Sequence, residues 1–244
     1  MNDQELVATV CPIIGEAGHA FYFAPETVAR GAALGLDPVQ FYVLGRGGVL
    51  GDVEPAIISA AFGYFNPSLV AGVWNQARAI ASPRVAGSAY AQACAEHGRI
   101  KLSTVEGLDA FVAAGDKVLA VCELDAFSLF AGVAAEPMAD DLAAHAMQLV
   151  TVLREYRGSA HLVELRATGV TTKTAHFAKR PDDIELDGWS AADAPVIDDA
   201  VVAKMAAAEA LTDRLVAPAY AVLDADERTA FVNGLQAIQA ALAA

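Results

Sequence analysis

Proline recurs through the first third of this chain at positions where a helix is expected to begin. The fixed φ of proline suits the first helical turn, and most of these prolines follow a residue that can cap a helix. Apolar residues at helical spacing come next, and glycines close the segments. The pattern predicts a series of short helices, which start at Ala24-Pro25, Asp37-Pro38, Asn66-Pro67 and Ser82-Pro83, with Pro55 near the start of another.

The rest of the chain is also predicted to be helical. Apolar residues make up 55% of the 244 positions and β-branched runs are short, which favours helices around a buried core. The segment 4–34 is expected to form two helices. Further helices are expected near 104–115, 120–131, 138–157 and 198–222, and from Asp224 or Asp226 to the end.

One pattern occurs twice along the chain. Ala32-Ala33-Leu34-Gly35-Leu36-Asp37 is echoed by Arg166-Ala167-Thr168-Gly169-Val170-Thr171, so that a helix ends at glycine, an apolar residue follows and a capping residue opens the next helix. We therefore predict an all-α fold of two tandem, degenerate winged-helix or helix-turn-helix-like halves, residues 1–135 and 136–244. The acidic segment 182–194 leaves room for a small β wing.

The start of the chain and its cysteines indicate a cytoplasmic protein. Met1-Asn2-Asp3-Gln4-Glu5 is acidic, where a signal peptide has a basic end, and no apolar stretch is long enough to cross a bilayer. Cys11, Cys94 and Cys122 are widely spaced among apolar neighbours, which is typical of reduced core thiols. No metal site is expected.

The net charge of −14 disfavours nucleic acid as a partner, because most of that affinity comes from neutralising phosphates. A first candidate recognition helix, 38–45, offers only Gln40 to a base edge. The second candidate, 171–180, is more basic and carries Lys173, His176, Lys179 and Arg180. Four carboxylates follow it directly, where a wing would meet the DNA backbone: Asp182, Asp183, Glu185 and Asp187.

Four longer motifs resemble those of a known family, the SalK-type helix-turn-helix-related proteins of actinobacteria. They lie in order between residues 15 and 165, and the closing segment from Ala221 to Arg228 resembles the last helices of MarR-type regulators. The motifs are Tyr22-Phe23-Ala24-Pro25-Glu26, Gly45-Arg46-Gly47-Gly48-Val49-Leu50-Gly51, Ala60-Ala61-Phe62-Gly63-Tyr64-Phe65-Asn66-Pro67 and Leu153-Arg154-Glu155-Tyr156-Arg157-Gly158-Ser159-Ala160-His161.

This resemblance implies a role in natural-product metabolism, since the family's members are associated with such gene clusters. The chain departs from the family pattern at two places. Asn66 stands where a histidine is expected before the proline, and Ser159-Ala160 replaces the Asp-Gly expected between Arg157-Gly158 and His161. These differences are consistent with a specialised member of the family.

Two sets of polar residues are candidates for acid–base chemistry and anion binding. If 19–26 forms one helix, His19, Tyr22 and Glu26 share a face, and His19 or Glu26 could transfer a proton. A hydrogen-bonded core histidine is the alternative. If Gly158 does not end its helix, a second stripe clamps an anionic group or forms an interdomain salt-bridge network. Its members are Arg154, Arg157, His161 and Glu164, with His161 the candidate catalytic residue.

Aromatic residues could line a pocket or form an ordinary core. The set is Tyr22, Phe41, Tyr42, Phe62, Tyr64, Phe65 and Trp74, beside Asn66. Arg46, within its glycines, could contact an anion or lie in a plain solvated turn. As substrate-binding residues we predict Tyr22, Arg46, Tyr64, Asn66, Trp74, Arg154, Arg157 and Glu164.

Familiar motifs for nucleotides, redox cofactors and hydrolytic nucleophiles are missing, so no cofactor is expected. The sequence predicts a protein that handles a small molecule with an anionic group. One form is a cofactor-free enzyme that eliminates or cyclises by acid–base chemistry, with arginines stabilising the leaving group. The alternatives are a ligand-responsive, MarR-like regulator, which would form a homodimer, and a metabolite-binding or resistance protein.

Overall fold

The computed structural model describes residues 1–244, which form twelve α-helices, one short 3-10 helix at Ala191–Asp193 and no strand. This confirms the predicted all-α class. The α-helices are α1 (Asp3–Ala17), α2 (Pro25–Ala33), α3 (Pro38–Gly48), α4 (Pro55–Phe62), α5 (Pro67–Arg78), α6 (Pro83–Leu102), α7 (Leu108–Ala120), α8 (Ser128–Ala134), α9 (Leu142–Ala167), α10 (Thr172–Lys179), α11 (Asp199–Tyr220) and α12 (Ala225–Ala243).

The prolines act as the sequence predicted, because α2 to α6 all begin at one. At α3 the cap is reciprocal. The Asp37 carboxylate accepts a hydrogen bond from the Gln40 backbone N–H at 2.8 Å, and the Gln40 side chain accepts one from the Asp37 backbone N–H. Helix starts in this half are therefore fixed by local chemistry.

The two predicted turns have the same backbone geometry. Gly35 and Gly169 both have positive φ, 79° and 77°, and the residue after each donates a backbone hydrogen bond to a carbonyl five positions earlier. That following residue is buried in both turns. Asp37 and Thr171 then cap α3 and α10. The chain thus contains two helix-turn-helix units, α2–α3 and α9–α10.

Several helix boundaries differ from the sequence prediction, among them the helix expected near 120–131, where residues 121–127 are not helical. Helix α3 continues through Gly45-Arg46-Gly47-Gly48 rather than ending there, because the glycines serve helix packing. A Cβ added at Gly48 would lie 2.0 Å from the Pro83 carbonyl oxygen of α6. Gly18 and Pro25 also separate α1 from α2 by a turn, so His19, Tyr22 and Glu26 do not share one helical face.

Two long helices, α6 and α9, form the centre of the fold. Helix α6 packs against α3 and α9, and α9 also packs against α1, α7, α8 and α11. One hydrophobic cluster runs from Leu6 of α1 to Ile238 of α12 and so draws on both sides of residue 135. A boundary between residues 135 and 136 stays a prediction.

The α10–α11 loop, residues 180–198, contains turns and the 3-10 helix in the place considered for a β wing. It is tied to the α4–α5 turn. The Asn66 backbone N–H donates to the Asp187 carbonyl at 2.9 Å, and the Trp189 indole donates to the Tyr64 carbonyl at 2.7 Å. None of the helices combines the length and apolar character needed to cross a bilayer.

Candidate functional site: a cleft along α9

A cleft of about 380 Å³ runs along α9, between the first helix-turn-helix unit and the second. We call it the α9 cleft. Helices α1, α3, α10 and α11, the α4–α5 turn and the α10–α11 loop complete its wall. Its polar and ionisable lining residues are Cys11, Tyr42, Arg46, Tyr64, Arg154, Glu155, Arg157, Ser159, His161, His176, Lys179, Arg180, Asp187 and Glu209.

The carboxylate of Glu155 is a deeply buried polar group of the cleft, and its side chain is only 3% exposed. Arg46 of α3 binds both of its oxygens, at 3.1 and 2.8 Å. The Arg154 guanidinium and the Tyr22 hydroxyl donate to it at 3.0 Å each. Burial alone would raise the pKa of Glu155, but the two guanidinium groups outweigh it and hold the pKa at about 2.

Two guanidinium groups around one carboxylate leave a net positive charge at this end of the cleft. Arg154 Nη1 is occupied by Tyr22 and Glu155, and Nε donates to the Gly15 carbonyl at 3.3 Å. Arg154 Nη2 has no hydrogen-bond partner in the protein, and this side chain is 26% exposed. Its free N–H groups can therefore donate to an anion.

An aromatic wall stands beside the two arginines. The rings of Tyr42, Phe62 and Phe65 pack against one another, with centroids 6.0 to 6.2 Å apart. The Arg46 guanidinium lies 4.5 Å from the Phe62 ring centroid, a cation–π contact that fixes its plane. The cleft therefore offers an apolar surface next to positive charge.

Glu209 of α11 organises a second charged group. Arg157 donates to Glu209 and Asp213 at 2.9 Å each, and Lys179 also pairs with Glu209. Burial raises the pKa of Glu209, but the donors Lys179 and Arg157 outweigh it and hold the pKa at about 2. His161 is buried, with Nδ1 2.9 Å from Thr212 Oγ1, and desolvation lowers its pKa.

The remaining wall carries the carboxylate of Asp187, which accepts no hydrogen bond. Asp187 Oδ2 lies 3.0 Å from His176 Nε2, but the angle is not that of a hydrogen bond, and His176 Nε2 has no partner. Burial raises the pKa of Asp187, and His176 opposes that rise. Tyr64 lines the same wall with φ of 54°, an uncommon conformation for a bulky residue.

The structure brings together six residues that the sequence singled out. Because α9 continues past Gly158, Arg154, Arg157 and His161 share one face and reach the cleft. Arg46 and Tyr64 line it as well. Tyr22 does not line the cleft, but its hydroxyl donates a hydrogen bond to Glu155.

Five other predicted residues lie outside the cleft lining. His19 is exposed and shares the Gly15 carbonyl with Arg154, whereas Glu26 pairs with His97 of α6. Trp74 is fully buried in the core, where its indole donates to the Val53 carbonyl. Asn66 anchors the α10–α11 loop, and the Glu164 carboxylate has no bonded partner.

The sequence analysis missed Glu155 and Glu209. It considered His176 and Lys179 only as part of a candidate recognition helix, and Asp187 only as one of the carboxylates that disfavour DNA. Glu155 had one available signal, since it is the sole acidic residue between Asp141 and Glu164. Its partner Arg46 is 109 positions away, which spacing cannot show. No group of three His, Cys, Asp or Glu side chains is placed to hold a metal ion.

The basic residues of α10 are paired within the protein. Lys173 contacts Asp193 at 3.5 Å and the Trp189 ring at 4.6 Å, and Lys179 pairs with Glu209. Arg180 lies 4.0 Å from Asp183. These contacts place a carboxylate beside each of the three basic residues, which lowers the net positive charge that a recognition helix would present to phosphates.

Comparison with known families adds one match. The model of a helix-turn-helix family matches residues 9–193, three quarters of the chain. The chain belongs to this helix-turn-helix family. The family region contains both repeated turns and ends inside the α10–α11 loop, so Glu209 and α11 lie beyond it. No curated protein and no solved structure matches the chain.

Proposed function

We propose that this protein handles a small molecule with an anionic group, bound in the α9 cleft. One observation carries the proposal. The chain has 16 Lys and Arg against 30 Asp and Glu, yet its cleft is lined by five cationic side chains and three carboxylates. A concave site with an excess of cationic groups, within a protein of net negative charge, attracts an anionic ligand. The cationic residues are Arg46, Arg154, Arg157, Lys179 and Arg180.

The wall of the cleft supports a ligand with two unlike parts. Arg154 Nη2 offers its free N–H groups to an anion, and Tyr42, Phe62 and Phe65 offer an apolar surface beside it. Pockets for small molecules combine such apolar walls with few polar groups. We propose an anion joined to a flat or apolar body as the ligand.

The proposed activity is cofactor-free acid–base chemistry, either elimination or intramolecular cyclisation. A base removes a proton, and the arginines stabilise the anion or leaving group that develops. The SalK-type resemblance supports a role for this activity in natural-product metabolism. A metabolite-binding or resistance protein would use the same cleft and release its ligand unchanged. Mass spectrometry of a candidate ligand after incubation separates these two forms.

Binding is tested with 8-anilinonaphthalene-1-sulfonate, a fluorescent aromatic anion. Gly158 lies in α9 at the cleft, and an added Cβ would meet nothing within 4 Å, so Gly158→Leu fills the cleft without disturbing the helix. We expect the wild-type protein to bind the dye and Gly158→Leu to bind it at least about tenfold more weakly. Gly72→Leu, an equally open helical glycine of α5, is the matched control. Equal binding by all three proteins contradicts the proposal.

A ligand-responsive regulator is the second candidate, favoured by the family and by the two helix-turn-helix units. It requires a homodimer and salt-sensitive DNA binding. Because the basic residues of α10 are paired, we expect no change in fluorescence anisotropy of a labelled DNA duplex at low salt. Binding that Lys173→Ala weakens would favour the regulator instead.

A further inference from the structure

Three carboxylates line the α9 cleft, and they differ in the hydrogen bonds that they accept. Glu155 accepts four, from Arg46, Arg154 and Tyr22, and Glu209 accepts one each from Arg157 and Lys179. Asp187 accepts none, although its side chain is only 14% exposed. A carboxylate saturated with donors is a poor base, whereas one with free lone pairs in a partly dry site is a strong one.

Two backbone hydrogen bonds of Asp187 hold this residue in place. The Asp187 N–H donates to the Asp183 carbonyl at 3.1 Å, and the Asp187 carbonyl accepts the Asn66 N–H at 2.9 Å. The backbone of Asp187 is therefore held on the cleft wall by hydrogen bonds that do not involve its carboxylate oxygens. His176 Nε2, which is buried and has no hydrogen-bond partner, lies at ion-pair distance from the carboxylate, 3.0 Å from Oδ2.

We infer that Asp187 is the general base of the α9 cleft. Its substrate is a small molecule with an acidic hydrogen. Once Asp187 has removed that proton, the substrate expels an anionic leaving group or itself becomes an anion, in either case beside the arginines. The inference rests on the proposed function, since it names the group that removes the proton in that cleft. The bases predicted from the sequence are placed less well: Glu26 pairs with His97 outside the cleft, His19 does not line it, and His161 is held by Thr212.

The chemistry fits the charges of the site. Asp187 takes the proton, the freed electron pair forms a new bond within the substrate, and the leaving group departs with its own pair as an anion. Burial raises the pKa of Asp187, which strengthens it as a base, while His176 opposes the rise.

The test uses 5-nitrobenzisoxazole, a neutral aromatic probe that needs only a base in an apolar site. The base removes the C3 proton, the C–H pair completes a nitrile, and the N–O bond breaks to give a coloured phenolate. We expect the wild-type protein to accelerate this elimination over the blocked variant Gly158→Leu. Asp187→Asn, which keeps the backbone hydrogen bonds, is expected to lower the rate about a hundredfold.

Asp182→Asn is the matched control, an exposed acidic residue of the same loop that does not line the cleft. It is expected to keep the wild-type rate. Dye binding by Asp187→Asn is measured in parallel and is expected to persist, which shows a folded, open cleft. Two results would overturn the assignment of Asp187 while the dye still binds: elimination by Asp187→Asn at the wild-type rate, or elimination by the wild type no faster than by Gly158→Leu. The proposed binding function would then still stand. If the dye does not bind, the proposed function falls with it.

Discussion

Glu155 holds the cleft together at the scale of a single residue. Its buried carboxylate compensates two guanidinium groups that come from helices far apart in sequence. Removing one partner of a buried ion pair is costly, because the remaining charge stays buried without compensation.

Replacing Glu155 by glutamine is therefore expected to lower the free energy of unfolding by about 3 to 5 kcal/mol. Urea denaturation followed by circular dichroism measures the change. Asp52→Asn is the control, because it breaks the exposed pair with Arg78, which is worth less than about 1 kcal/mol. Equal losses in the two variants would show that the Glu155 cluster adds nothing as a buried network.

The same carboxylate makes stability depend on pH. The pKa of Glu155 is about 2 in the folded protein against an ordinary value of 4.5, so the folded state prefers the ionised form. Its contribution is complete above pH 4.5 and is lost as the pH falls through about 2. We expect urea midpoints to fall across this window, and to fall less steeply in Glu155→Gln. Parallel curves for the two proteins would contradict this account.

At the scale of elements, the crossing of α3 and α6 depends on glycines that the sequence suggested for anion binding. The backbones touch here, and a Cβ at Gly48 would lie 2.0 Å from the Pro83 carbonyl oxygen. Arg46, in the same helical turn, reaches Glu155 because α3 lies this close to the centre of the fold.

Gly48→Ala is expected to destabilise the protein by about 3 kcal/mol, because a backbone carbonyl cannot move aside as a side chain can. Gly72→Ala, at an open helical position, is expected to stabilise it by up to about 1 kcal/mol. Thermal unfolding of both variants measures the contrast. If Gly48→Ala unfolds at the same temperature as the wild type, α3 and α6 can separate without loss of stability.

Local chemistry made the elements predictable, and chain distance limited prediction of the site. The cap at Asp37 and the turns at Gly35 and Gly169 depend on residues within a few positions, so the sequence showed them. The pairing of Glu155 with Arg46 depends on how α3 and α9 pack. The same holds for Asp187, which sequence placed in an acidic run and the fold places in a cleft wall.

At the scale of the whole molecule, one main hydrophobic cluster includes residues from α1 to α12, on both sides of residue 135. Helix α9 belongs to it, whereas Val170 of the second turn and α10 pack in a small second cluster with α11. Domains that share one core unfold together.

We therefore expect one cooperative unfolding transition. The protein has two tryptophans, Trp74 in the core near α3 and Trp189 in the α10–α11 loop. Trp189→Phe leaves a reporter in the first half and Trp74→Phe leaves one in the second. Within each variant, the fluorescence and circular dichroism transitions are expected to coincide. A fluorescence transition that precedes the helical one would show a part that unfolds by itself.

Trp189 also gives the protein an optical property of its own. Its indole donates to the carbonyl of Tyr64, a cleft residue, and the Lys173 ammonium lies over its ring. Indole emission responds to a change in nearby charge or hydration. An occupant of the cleft that shifts Tyr64 changes the colour or intensity of that emission, so that Trp74→Phe becomes a label-free sensor with which compound collections can be screened.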